Sequence, residues 1–165
     1  MNALVLDALA ELREALSGWR IVHQTGAADL DTIQQRYVRL ALTADVQPFL
    51  RDMAEQYRRA TCVISRAGAT TLAELACAGL PVLLVPLPTS AHDHQRLNAK
   101  LFADRGAALL VEQTANNTAR LRDETRRLLT DPTLRESMRA ALSDLARPDA
   151  VSDVIEQLSV GIART

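Results

Sequence analysis

The residues best suited to chemistry lie between Thr61 and Glu74. Thr61-Cys62-Val63-Ile64 is a short apolar, β-branched run, the kind a parallel strand covered on both faces needs. It enters the small-residue turn Ser65-Arg66-Ala67-Gly68, and Ala69 to Ala78 then reads as a helix of Ala, Leu and Glu. In that arrangement the backbone N–H groups of Gly68, Ala69 and Thr70 point outward at the positive end of the helix dipole, which suits a phosphate or diphosphate. Gly68 has no Cβ, so a ligand can approach its backbone closely. Glu74 follows six residues later, roughly 9 Å along the helix at 1.5 Å per residue. A carboxylate at that distance can accept from both hydroxyls of a ribose whose phosphates sit at the helix start. The structural alternative is a plain helix N-terminus with Glu74 as a favourable early acid.

Ser90-Ala91-His92-Asp93-His94-Gln95 has three readings. Ser90 with Asp93 fits a capping box. His92 and His94 are metal-ligand types, but no third ligand stands at a suitable spacing. His94 and Gln95, in the first turn of a helix, suit sugar hydroxyls, because a Gln amide both donates and accepts. Other constellations are missing. The six glycines are never closer than eight residues apart, which excludes a G-x-G-x-x-G fingerprint and a Walker loop. There is no nucleophile elbow and no Cys/His pair with an orienting group.

The elements around these residues alternate. A helical stripe runs over Leu4 to Leu16, with Val5, Leu9, Leu12 and Leu16 at steps of four, three and four, and Ser17-Gly18 stops it. Trp19 to Gln24 reads as a strand ending at Thr25-Gly26, followed by a helix over about Asp29 to Leu42. Asp45 to Phe49 is a weaker strand, then a helix runs through Arg59. Gly79 sits where a left-handed cap belongs, Pro81 bars continuation, and Val82 to Val85 is a second buried strand. A helix over about His94 to Asp104 and a strand over Ala107 to Val111 follow. The tail, residues 116–165, is helical and divided at Asp131-Pro132 and Arg147-Pro148. Its interleaved arginines and acids make a solvated face. This pattern predicts one α/β domain with a Rossmann-like, mostly parallel sheet flanked by helices. If the strands are parallel, His23-Gln24-Thr25-Gly26, Phe49-Leu50, Ser65 to Thr71 and Thr89 to Gln95 converge at one sheet edge.

Composition narrows the function classes. The chain has 165 residues, 48% of them apolar, and 19 Lys+Arg against 20 Asp+Glu. A balanced charge and only five aromatic residues argue against nucleic acid as a partner. Cys62 and Cys77, each in an apolar stretch, read as two buried reduced thiols. The N-terminus has no basic start and carries Asp7 and Glu11, so a signal peptide is not expected. Leu80 to Pro88 is too short and too Pro-rich to span a bilayer. These features predict a soluble cytoplasmic domain.

The run Ile64 to Pro81, then Val85-Pro86-Leu87-Pro88, then Asp93-His94-Gln95 and Asn98-Ala99, resembles the C-terminal domain of MurG-type glycosyltransferases, glycosyltransferase family 28. His23-Gln24-Thr25-Gly26 and Phe49-Leu50-Arg51-Asp52-Met53 match the same family in the same order. The resemblance runs from Asn2 to Gln113, with the helical tail compatible. It implies one half of a GT-B fold, two Rossmann-like domains with the active site between them. Members transfer N-acetylglucosamine from UDP-GlcNAc to the lipid-linked muramyl-pentapeptide precursor of peptidoglycan, with inversion and without a metal or other cofactor in this domain. Carried over, the resemblance puts Leu50 against the uracil through its backbone, with Phe49 and Met53 nearby. Ser65, Arg66, Gly68, Ala69 and Thr70 would lie near the diphosphate, Glu74 would hold the ribose hydroxyls, and His94 and Gln95 would contact the GlcNAc. His94 stands where some relatives have a second Gln. No catalytic residue and no metal ligand is expected in this half.

Two departures from the family shape the expectation. The acceptor domain, which carries the membrane-contacting patch and the proposed base, is absent from this sequence. The first strand and Gly-Gly-Ser turn of the donor domain are also absent, and in a 3-2-1-4-5-6 sheet that strand is the central one. Its former neighbours should therefore pair directly, or leave an exposed edge that invites self-association. The chain then reads as the UDP-GlcNAc-binding half of a hexosyltransferase, inactive alone, cytoplasmic, and touching the inner membrane face only through the missing half. Two alternatives stand beside it: a donor-binding subunit working with a separate acceptor-domain protein, and a truncated fragment without function. The stripe Val151, Val154, Ile155, Leu158 and Ile162 would suit docking to such a partner or ordinary core packing.

Overall fold

The computed structural model describes residues 1–90, 93–114, 117–150 and 152. Strands and helices alternate as α1 (Asn2–Ala10), β1 (Ile21–Gln24), α2 (Leu30–Arg39), β2 (Ala44–Gln47), α3 (Met53–Arg59) and β3 (Val63–Ser65). They continue as α4 (Ala69–Ala78), β4 (Val82–Leu84), α5 (His94–Asp104), β5 (Leu109–Leu110), α6 (Thr118–Thr130) and α7 (Pro132–Leu145). Every strand pair is parallel, in the order β1-β2 and β3-β4-β5. α1 contacts both α2 and α6, and α4 contacts both α3 and α7.

Local chemistry sets several boundaries. α4 ends at Gly79, whose φ of 61° is left-handed, and its N–H together with that of Leu80 returns to Ala76 and Leu75. α7 starts where the Asp131 side chain accepts from the Leu134 N–H at 2.9 Å, with Pro132 in the first turn. β4 is the centre of its sheet, and Val82, Leu83 and Leu84 are fully buried. Arg122 pairs with Glu11 at 2.7 Å and with Asp123 at 2.9 Å.

α1 stops at Ala10, short of the expected Leu16. The chain continues as separate turns, closed by Leu12 N–H to Leu9 and Leu16 N–H to Leu12. Val5, Leu9, Leu12 and Leu16 stay buried in one cluster, so burial keeps the spacing although the helix ends. Cys77 is exposed on the outer face of α4, whereas Cys62 is half-buried; the expectation of two buried thiols fails for Cys77. Burial pushes the Cys62 thiol up to about 11. The stripe from Val151 to Ile162 lies outside the described residues.

Of the two outcomes expected at the central position, direct pairing does not occur: β1 and β3 share no hydrogen bonds and stand as edges of separate sheets. In a parallel ladder, alternate residues turn their N–H and C=O to a given neighbour. The Thr25 N–H bonds to Gln47, which turns Val22 and Gln24 away from β2. The Val63 N–H bonds to Pro81 and the Ser65 carbonyl accepts from Val85, which turns Ile64 away from β4. Val22, Gln24 and Ile64 therefore face each other's sheets, with no ladder partner on that side among the described residues. A cavity of 1010 Å³ lies between them, lined along the whole of Ile21–Gln24 and Val63–Ser65. Thr125, 2% exposed, lines it from α6, and its hydroxyl has no hydrogen-bond partner among the described residues.

Candidate functional site

Parallel pairing sends the carboxyl ends of the strands to one edge, and three of the four expected segments meet there. Gln24 to Gly26, Phe49-Leu50 and Ser65-Arg66 line the carboxyl end of the cavity between β1 and β3, a cleft they share with Met53, Tyr57, Thr71 and Glu74. Of the expected site residues, the cleft therefore unites Phe49, Leu50, Met53, Ser65, Arg66 and Glu74. Gly68, Ala69, Thr70, His94 and Gln95 lie outside its lining. Hydrogen bonds join α5 to the neighbouring loops: the Asn98 amide donates to the Ala67 carbonyl at 3.2 Å, and Gln95 Oε1 accepts from the Leu87 N–H at 3.0 Å. The expected Ser90–Asp93 capping box takes another form, in which Ser90 Oγ accepts from the Gln95 N–H at 3.4 Å.

The start of α4 has donors to spare. Gly68 caps the helix without a side-chain bond, and its carbonyl accepts from Leu72 at 3.0 Å. The N–H groups of Ala69, Thr70 and Thr71 have no acceptor among the described residues, the usual state of a first helical turn. Gly68 has φ −67° and ψ 142°, which any residue adopts, and a Cβ there would meet only Thr71 Oγ1, at 3.9 Å. The backbone therefore does not require glycine at this position. Glycine leaves its own backbone uncovered at the start of a turn with three unspent donors.

Arg66 is partly committed. Its Nη1 donates to the carbonyls of Val85 at 2.9 Å and Pro86 at 3.0 Å, fixing the guanidinium at the end of β4. Nε and Nη2 make no hydrogen bond among the described residues. Burial lowers the arginine's pKa from its ordinary value, and the group stays cationic. On the other flank, Phe49 is 69% exposed beside Leu50, which is buried. The Leu50 N–H donates to Gln24 Oε1 at 2.8 Å. Of the Leu50 backbone groups expected to face a base, only the carbonyl is without a hydrogen bond among the described residues.

Glu74 is exposed and faces the cleft, and its Oε2 accepts from the Tyr57 hydroxyl at 3.0 Å. Burial, then the hydrogen bond to Glu74, pushes the Tyr57 phenol up to about 12, so it remains a neutral donor. Sequence reasoning missed Tyr57 as a partner of Glu74, Gln24 as a partner of Leu50, and Asn98 as the tie to the turn. The available signal for Tyr57 was its spacing of four from Met53, which puts both on one face of α3. Among the described residues no group of three His, Cys, Asp or Glu side chains is placed to hold a metal ion, and no helix is long and apolar enough to cross a membrane. His92 lies outside those residues.

Comparison with known proteins places this geometry in a family. The model of the glycosyltransferase family 28 C-terminal domain matches residues 1–157. A curated relative from Methylococcus capsulatus is named UDP-N-acetylglucosamine--N-acetylmuramyl-(pentapeptide) pyrophosphoryl-undecaprenol N-acetylglucosamine transferase. It is 46% identical over 154 residues, which is 93% of this chain and 43% of the relative. A protein of the same name from Geobacter sulfurreducens is 37% identical over 158 residues, again 43% of its own length. The chain thus spans less than half of the curated relatives it matches. The crystal structure of Acinetobacter baumannii MurG superimposes with a TM-score of 0.79 at 34% identity, covering 96% of this chain and 49% of that one. Glycosyltransferase VinC, in complex with DTDP, shares the fold at 23% identity and a TM-score of 0.61, covering 93% of this chain and 39% of its own. A parallel α/β sheet, a matched family model over almost its full length and structural likeness to MurG agree: this chain belongs to the glycosyltransferase family 28 C-terminal domain family.

Proposed function

We propose that this chain is the UDP-GlcNAc-binding half of an inverting N-acetylglucosamine transferase acting on the lipid-linked muramyl-pentapeptide of peptidoglycan synthesis. The observation that carries the reading is the layout of α4. One helix offers unspent N–H donors at its start and, less than two turns further on, a carboxylate that lines the cleft beside Phe49 and Leu50. That spacing matches a nucleoside diphosphate laid along the helix, with its phosphates at the positive end and its ribose diol on Glu74. Phe49 and the Leu50 carbonyl flank the base, and Gln95, anchored at Leu87, extends the site toward the sugar.

In the transfer step an acceptor hydroxyl attacks the anomeric carbon as the bond to the diphosphate oxygen breaks. Negative charge grows on the departing UDP. Backbone donors of α4 and the remaining N–H groups of Arg66 are fixed in place to receive it, with no reorganisation at the moment of reaction. The attacking hydroxyl and its base belong to an acceptor-binding half, in keeping with a chain that spans under half of its relatives' length. Contact with the inner face of the membrane is assigned to that half as well.

Titration calorimetry tests the reading. The chain should release heat with UDP and with UDP-GlcNAc. Glu74→Ala should bind about ten- to a hundredfold more weakly, since hydrogen bonds to a charged group are at stake. Absence of heat with either ligand at millimolar concentration contradicts the assignment.

A further inference from the structure

We propose that Tyr57 is a positioning residue of this site, holding the Glu74 carboxylate aligned for a vicinal diol. The inference rests on the nucleotide-sugar reading above and assigns a role to α3 that the reading does not contain.

Glu74 stands on the exposed side of α4, and among the described residues its carboxylate accepts one hydrogen bond, from the Tyr57 hydroxyl at 3.0 Å. An exposed glutamate samples many rotamers, and a ligand that needs one of them must pay for ordering it. Tyr57 removes much of that cost in advance. Its ring packs against the cluster formed by α4, β4 and α5, so the hydroxyl is presented from a fixed frame. α3 itself is fixed at its start, where the Asp52 side chain accepts from the Glu55 N–H at 3.1 Å. Met53 and Tyr57, four residues apart on α3, both line the cleft.

The stoichiometry of the carboxylate permits this role. Its two oxygens offer about four acceptor positions, and Tyr57 uses one on Oε2. Both hydroxyls of a diol can still be accepted. The donor also stays a donor: a phenol pushed up to about 12 does not become an anion that would repel the carboxylate in neutral solution.

The test is a comparison of UDP with 2′,3′-dideoxy-UDP, which lacks the diol, by calorimetry on the native chain, Tyr57→Phe, Glu74→Gln and the double variant. Tyr57→Phe removes one oxygen and keeps the ring, and its melting temperature reports whether the fold persists. UDP should bind Tyr57→Phe about three- to tenfold more weakly, while dideoxy-UDP binds it as it binds the native chain. In the Glu74→Gln background the tyrosine change should cost much less. If Tyr57→Phe binds UDP like the native chain while Glu74→Gln is impaired, the inference fails and the site reading stands. Equal loss with UDP and dideoxy-UDP likewise overturns it, since that is the mark of a merely structural role. If the native chain binds no UDP at all, both fall.

Discussion

Gly68 separates what the fold needs from what a ligand needs. Most glycines in this chain sit at positive φ, as at Gly26 and Gly79, where a side chain would strain the backbone. Gly68 does not, and a methyl group there touches nothing closer than 3.9 Å. Gly68→Ala should therefore melt within about 1 kcal/mol of the native chain, since the lower entropy of the unfolded chain offsets the poorer N-cap and no clash arises. A diphosphate seated closely on the Gly68 backbone would meet the same methyl, so on the proposed reading UDP affinity should fall tenfold or more, on the order of a lost charge-assisted hydrogen bond. Thermal denaturation and calorimetry on one preparation check both halves. A variant that loses stability as well as binding would assign this glycine to folding.

At the scale of elements, β3 and β4 have similar apolar sequences and different surroundings. β4 is fully buried, whereas Val63, Ile64 and Ser65 are each only half-buried. The cause is the open slot beside β3, where Ile64 turns its backbone groups toward β1 without reaching it. Protection from hydrogen exchange should follow the pairing. Amides of Val85 and Val111, bonded to Ser65 and Leu84, should exchange on the order of 100-fold more slowly than those of Val22 and Ile64. Equal protection at Ile64 would mean that the slot is closed in solution. α3 shows the opposite case, a helix of seven residues with no fully buried side chain, held by one cap and by the packing of half-buried Tyr57, that still carries Met53 and Tyr57 to the cleft.

Across the whole molecule, legibility in the sequence followed the range of the forces involved. α4 and α5 have the expected bounds because their signals are local, with Gly79 and Pro81 closing one and the turn at Ser90 opening the other. α1 ends six residues before the expected Leu16 because its apolar spacing reports burial, and burial can be met by turns as well as by helix. Sheet pairing joins residues far apart in the chain, so periodicity alone could not reveal that β1 and β3 stay unpaired. The same holds at the site. The place of Glu74 follows from counting along one helix, whereas its bond to Tyr57 depends on how α3 packs against α4. Gln24 was legible as a member of a motif, but its grip on the Leu50 N–H was not.

The central claim is that the carboxyl edge of these strands receives a nucleoside diphosphate, with the phosphates at the start of α4. Amide chemical-shift mapping with UDP tests it most directly, because it reports where the ligand sits as well as whether it binds. Saturable shifts should appear at Leu50, Arg66, Gly68 to Thr70 and Glu74, leaving α6 and α7 unmoved. Shifts confined to those two helices, or no shifts at millimolar UDP, would contradict the account.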